Sequence, residues 1–207
     1  MRMSLKRHDT GRTLLDLIFE VVLIAVGVFL ALWANNWHED HEHRAQARAA
    51  LQNFVKEMEN NRAAIDRNRA YHETLARELE QFVSSRGAPT EDRFEKDVHY
   101  AGARPVIFER TAWDLALATQ ALSYLKPQLA FDISKVYTEQ NAFQTLENSF
   151  LTAAYSPAAL GPDNAKAFAT SMKTYLGDVN QLEPAMLQRY DEVIPEIKQE
   201  LGTASDR

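Results

Sequence analysis

The chain of 207 residues has no cysteine. That excludes a disulfide framework, a thiolate nucleophile and any thiolate-ligated metal site. It also removes the one sequence signal that would demonstrate an oxidising compartment, so it fits translocation without establishing it. Glycine and proline number seven each. The glycines are isolated, forming neither a phosphate-cradling loop nor a G-x-S-x-G nucleophile elbow. Basic charge is also in deficit. Removing the four basic and three acidic residues of the first 37 from the 23 and 29 of the whole leaves 19 and 26, a net charge near -7 for the remainder. There is no basic stripe and no Arg-rich face with interleaved aromatics, which argues against nucleic acid as a partner and against broad docking on anionic lipid. No strand pattern of any weight occurs.

What is there begins with one apolar run, Leu14 to Trp37 (LLDLIFEVVLIAVGVFLALWANNW). Its roughly 24 residues, at about 1.5 Å rise each, cross a hydrocarbon layer of about 30 Å. Asp16 and Glu20 sit near its start, where a carboxylate can reach headgroups, water or a partner. Two other readings compete. The uncharged stretch from Val21 to Ala34 is short enough for a soluble core helix, and a cleavable signal peptide has a similar apolar core. A signal would need small residues before its cut, but Leu32 stands two before Ala34. An uncleaved anchor is therefore the expectation. Arg2, Lys6, Arg7 and Arg12 precede the run, while HEDHEH follows it, with Arg44 the first clear positive charge beyond. The positive-inside rule then expects residues 1–13 as a cytoplasmic tail, residues 14–37 as a membrane helix, and the rest in the periplasm or another extracytoplasmic space.

At 100° per residue, Asp16, Glu20, Leu23, Gly27, Ala31, Ala34 and His38 share a sector of about 80°. Gly27 and Ala31 are a small-xxx-small pair that lets another helix approach, and a carboxyl on that side is better placed against a partner than against lipid. The face suits self-association or docking on another membrane protein. The plainer reading is that small residues are common in membrane helices and that Asp16 and Glu20 lie among headgroups. A proton-carrying Glu20, as in stator proteins, is a third and more demanding one.

Glu20, Gly27, Ala31, Leu32, Asn35, Asn36, Trp37 and Glu39 read as E-x6-G-x3-A-L-x2-N-N-W-x-E. This resembles the N-terminal signature of an uncharacterised family of bacterial single-pass membrane proteins. Leu51, Phe54, Glu57, Met58 and Asn61 are similar to that family's next helix, and Thr111 to Leu125, with Val136 and Tyr137, resembles its middle region. The family often has Gly where this chain has Gln120. The resemblance implies fold and location and carries no activity.

Beyond Trp37 neither Gly nor Pro occurs before Gly87, so the apolar helix is expected to run on. Leu51, Phe54, Met58, Asn61, Ile65, Asn68, His72, Leu75, Leu79 and Phe82 step by three and four, a coiled-coil-like heptad seam. Its polar members Asn61, Asn68 and His72 either set register or partner number or face water. Between run and seam lies a charged collar. His38 and His41, or His38 and Glu42, share a helix face and have spacing for a divalent metal or for pH sensing, with His43 nearby. HEDH is not H-E-x-x-H, and such a run beside a membrane also serves as a solvated collar.

Residues 84–92 (SSRGAPTED) end this helix, and a short one is expected over about 91–100. Thr111 reads as an N-cap with Asp114 three on, followed by an apolar face of Trp113, Leu117, Ala121 and Leu125. Pro127 suits a first turn, with Leu129, Ile133, Val136, Phe143, Leu146 and Phe150 forming a stripe to about Tyr155. The aromatics Trp113, Tyr124, Phe131, Tyr137 and Phe143 pack or line a pocket. After a turn at residues 156–163, a last stripe from Phe168 to Ile197 contains Pro184 and Pro195, which predict a kink or break near Leu182 and Ile194. Residues 202–207 are expected to fray. The expected fold is all-α: a membrane helix continuous with a long helix, packed with others over residues 38–201 as an antiparallel bundle. No catalytic or cofactor signature is present, and His72 and His99 show no partner in sequence. Three functions compete: an anchored interaction scaffold, a helical sensor acting through a membrane partner, and a hydrolase or metal enzyme needing a pocket.

Overall fold

The computed structural model describes residues 10–87, 89–156 and 164–203. Among them every regular element is helical: α1 Thr10–Ser84, α2 Glu91–Asp97, α3 Thr111–Ala118, a 3-10 turn Ala121–Tyr124, α4 Pro127–Ala154 and α5 Ala165–Thr203. The all-α class holds. The chain divides into two compact units, Met1–Gln46 and Ala47–Arg207.

In the first unit α1 contains a stretch long and apolar enough to cross a membrane, and none of that stretch is buried. Phe19, Phe29, Trp33 and Trp37 expose 64–77 % of their surface. In water such a surface would be costly at about 25 cal/mol per Å². Helical propensity alone does not account for it. From Val21 to Ala34 the apolar side chains cover the whole circumference of the helix rather than one stripe.

The second unit is built the opposite way. Nine of the ten seam residues of α1 are buried and Asn68 is half-buried, and they pack within the chain's own core rather than presenting a free coiled-coil face. Helix α5 runs antiparallel to α1, because Arg48 meets Leu201, Lys198 meets Glu59, Arg62 meets Asp191, His72 meets Glu183 and Lys173 meets Glu80. It is also antiparallel to α4, where Lys126 meets Glu200, Arg189 meets Glu139 and Phe150 stacks on Tyr175. Helices α1 and α4 therefore run in the same direction. The chain must return between them, and the irregular stretch 98–110 makes that return.

Several sequence expectations change. Helix α5 continues through Pro184 and Pro195 without a break; core residues on either side of each proline, Val179, Met186, Val193 and Ile197, hold it in place. Helix α2 stops at Asp97, where Val98 is extended. Thr111 is not the cap of α3 but its first helical residue; Arg110 precedes it and pairs with Asp114 at 2.9 Å. Of the expected apolar face, Ala121 is buried and Trp113 and Leu125 pack against the core, whereas Leu117 is 51 % exposed and Ala112 and Ala116 are buried instead. The helix ends early because Gln120 is left-handed, φ 58°, which rotates the following turn. Pro127 opens α4 as expected. Of the expected aromatics, Trp113 stacks on Tyr137 at 5.0 Å and Phe143 meets Phe108 at a tilt with centroids 5.3 Å apart, while Tyr124 and Phe131 are exposed. The expectations for residues 1–9, the turn at 157–163 and the tail at 204–207 lie outside the described residues.

Candidate functional site

An irregular strand of backbone laid along helices owes a hydrogen bond at each buried N–H and C=O, since no regular ladder supplies them. In the strap of residues 98–110, side chains from α1 and α4 provide them. Glu78 accepts the His99 N–H at 2.8 Å and meets its ring Nδ1 at 2.9 Å. Tyr71 donates to the Gly102 carbonyl at 2.6 Å and accepts the Ala101 N–H at 3.0 Å. His72 Nε2 lies 3.2 Å from the Ala103 carbonyl and 3.1 Å from that of Arg104. Glu147 accepts the Val106 N–H at 3.2 Å, and Gln144 that of Phe108 at 3.3 Å. Asn61 forms a reciprocal pair with Glu109, donating to its carbonyl and accepting its N–H, both at 2.8 Å. Glu57 closes the series by accepting the Ala112 N–H at 2.8 Å. Ala112 is in the first turn of α3, whose N–H groups have no partner within the helix, so the carboxylate also complements the helix dipole. Glu57, Asn61 and His72 step by 4 and 11, both close to whole turns, and so address the strap from one face of α1.

Beneath the strap lies a buried ionisable cluster. His72 Nδ1 is 2.7 Å from Glu183 Oε1, and both side chains are fully buried. Glu147, also fully buried, accepts the Tyr175 hydroxyl at 2.5 Å. Burial alone would lower the His72 pKa, but the hydrogen bond and charge of Glu183, with the Ala103 carbonyl and Glu147, outweigh it and the pKa is raised. Burial raises the Glu147 carboxyl, while the bonds from Tyr175 and Val106 pull it the other way. Tyr175 is pushed far above the ordinary phenol range by burial and then by Glu147, so its proton stays on the hydroxyl. Two further polar groups are less well served: both amide atoms of Gln140 and the Tyr190 hydroxyl are buried without a hydrogen bond, as is Glu183 Oε2.

The strap is also strained above His72. Arg104 has φ 49° and Gly102 φ 88°. Glycine tolerates this region, whereas a side-chain-bearing residue such as arginine loses roughly 1–2 kcal/mol there. The Arg104 guanidinium lies 4.1 Å over the Tyr71 ring, a cation–π contact that holds the residue in place.

The residues singled out from sequence lie elsewhere. Asp16, Glu20, Gly27 and Ala31 are all exposed on α1, and a Cβ added at Gly27 meets nothing within 4 Å. His38 and Glu42 come together at 3.2 Å as an exposed pair, while His41 stacks on Trp37 at 6.1 Å. Among the described residues no three His, Asp or Glu side chains converge as a metal site. The polar seam residues behave unlike either expectation: Asn61 and His72 face neither water nor another copy but the strap. His72 and His99, without visible partners in sequence, have Glu183 and Glu78. Glu57, Glu147, Glu183, Tyr137 and Tyr175 escaped notice altogether as polar partners. A signal existed for two of them. Glu147 falls between Phe143 and Phe150, and Glu183 between Val179 and Met186, each at the three or four spacing of its apolar stripe.

Both ring nitrogens of His72 are committed and the side chain is sealed from solvent, so as folded it binds the strap rather than a substrate. Comparison with family models, curated proteins and solved structures returned no match.

Proposed function

We propose that the chain is a membrane-anchored helical interaction or scaffold protein of the bacterial envelope, its first unit spanning the inner membrane once and its second unit lying on the periplasmic side. The observation that carries this reading is the contrast between the two units. Residues 16–37 bury nothing although they are almost wholly apolar, whereas residues 47–203 bury their apolar side chains against one another. The first surface is suited to lipid and to another helix. Asp16, Glu20, Gly27 and Ala31 form the side that would meet a second copy or another membrane protein, since small residues allow close approach and a carboxyl is better paired than exposed to hydrocarbon.

A second reading, a helical sensor acting through a membrane partner, draws on the sealed His72–Glu183 pair beneath the strap.

The native chain has no cysteine, so Gly27→Cys introduces a single reporter. Expected outcomes are retention in the membrane fraction after alkaline extraction, a disulfide-linked dimer or a crosslinked partner through residue 27, and loss of co-purification in Gly27→Leu. A chain that returns alone and monomeric from native membranes, unaffected by Gly27→Leu, would end the scaffold reading.

A further inference from the structure

The geometry points to a proton-operated latch: loss of one proton from the His72–Glu183 pair as pH rises releases residues 103–105 of the strap from the bundle, leaving the Tyr71 and Glu147 ties on either side and the three long helices in place. This goes beyond the scaffold reading and holds whatever the anchor binds.

The argument starts from proton count. His72 Nδ1 faces the Glu183 carboxyl, and Nε2 faces two carbonyl oxygens, those of Ala103 and Arg104. A backbone carbonyl only accepts, so Nε2 must carry a proton for the strap to be held. The 2.7 Å contact at Nδ1 needs a second proton, whether it resides on the ring or on the carboxyl. The latched pair therefore holds two protons and no net charge. When one is lost, a neutral ring beside a carboxylate keeps its N–H toward the carboxylate, because the other tautomer would set a nitrogen lone pair against a negative oxygen. The lone pair then faces the Ala103 and Arg104 carbonyls. The bond that breaks is the one to the strap.

The surroundings bias the release toward one direction and one place. From α5 the pair meets Glu183, and the nearby α4 contributes Glu147, itself bound to Tyr175 of α5. On α1 the neighbouring ring is Tyr71 at 5.8 Å, and from the strap comes Arg104, whose guanidinium rests on Tyr71 rather than on either carboxylate. Among the described residues no lysine or arginine forms an ion pair with Glu183 or Glu147. The His72 pKa is raised above the ordinary 6.5, so the stability that the latch contributes is complete below about 6.5 and is lost as pH rises through the folded-state value. The Glu147 carboxyl accepts the Val106 N–H, so that tie on the strap does not depend on the His72 proton. The carbonyls that are freed belong to Ala103 and to Arg104, the strained left-handed residue, and Ile107 beyond them is already 74 % exposed. The lower strap stays tied by Asn61 and Glu57, whose bonds involve neither group.

The test is amide hydrogen exchange of the full chain in lipid nanodiscs between pH 6 and 9, corrected for intrinsic rates. Protection of the Ala103 and Arg104 amides should be flat at low pH and then fall by about tenfold per pH unit, as release of one proton requires. Peptides of α5 around Met172 and Tyr190 should keep theirs. In Glu183→Gln the amide can donate to Nδ1, leaving a neutral ring with its proton on Nε2, so the strap should stay protected at every pH. Glu147→Gln removes a charge that favours the protonated pair, and the fall should begin at lower pH, by up to about one unit. Protection that does not depend on pH, the same slope in Glu183→Gln as in the native chain, an unmoved onset in Glu147→Gln, or simultaneous loss across α5 would each overturn the latch.

Discussion

Replacing Tyr175 by phenylalanine removes one oxygen and leaves the ring, which stacks on Phe150 with centroids 3.9 Å apart. The change therefore isolates the 2.5 Å hydrogen bond that Tyr175 donates to the buried Glu147. Hydrogen bonds to charged groups contribute about 1.5–3 kcal/mol, and a buried carboxylate stripped of a donor stands at the upper part of that range. With a urea dependence of about 2–3 kcal/mol per molar for a unit of this size, the midpoint of unfolding should fall by about 0.5–1.5 M at pH 8. The loss should depend on pH with a defined sign. Burial already raises the Glu147 pKa, and removing the hydroxyl raises it further, so the penalty is full where Glu147 is ionised and shrinks as pH falls toward its unfolded value of 4.5. Near pH 4.5 only a neutral hydrogen bond is missing, leaving about 1 kcal/mol. Urea titrations of the full chain in detergent, followed by far-ultraviolet circular dichroism at both pH values, measure this. A loss below about 0.5 kcal/mol at pH 8, or an equal loss at the two pH values, would refute the account of Glu147 as a carboxylate held by Tyr175.

Phe54 is fully buried and its ring lies 5.7 Å from Tyr137 and 6.5 Å from Trp113; Phe54→Ala should cost about 3–5 kcal/mol in the same titration, as a cavity in a rigid core does. Both amide atoms of Gln140 are buried without a hydrogen bond of ordinary length and angle, so Gln140→Met, which keeps the volume, should stabilise by about 1–2 kcal/mol; a loss instead would show that the amide serves the Tyr190 hydroxyl beside it. Gln120 is left-handed, and Gln120→Gly should raise the midpoint by the equivalent of about 0.5–1 kcal/mol, since glycine pays no steric cost there.

Local pattern carried the sequence reading a long way. The 3.6-residue period of Leu51, Phe54, Met58 and their successors located one face of α1, Pro127 located the start of α4, and the absence of strand alternation settled the class, because each depends on residues within a few turns of one another. The same reasoning failed at Thr111, and the two prolines of α5 do not break the helix. Capping and helix-breaking are weak local preferences of about 1–3 kcal/mol, which tertiary packing around Met186 and Ile197 can override.

The polar interior was legible only in outline. His72 stood out as a polar residue in an apolar seam, but its partner is 111 residues away on α5 and its second contact is backbone on a strap with no periodicity at all. By itself the sequence determined that this is a helical chain with one helix apolar on every side, since burial patterns repeat along a single element. That α1 and α4 run parallel, that a strap must return between them, and that His72, Glu183, Glu147 and Tyr175 meet beneath it were decided by the tertiary structure alone. Hydrogen bonds close over about 3 Å in space, and nothing in the chain's order records which distant residues will come that near.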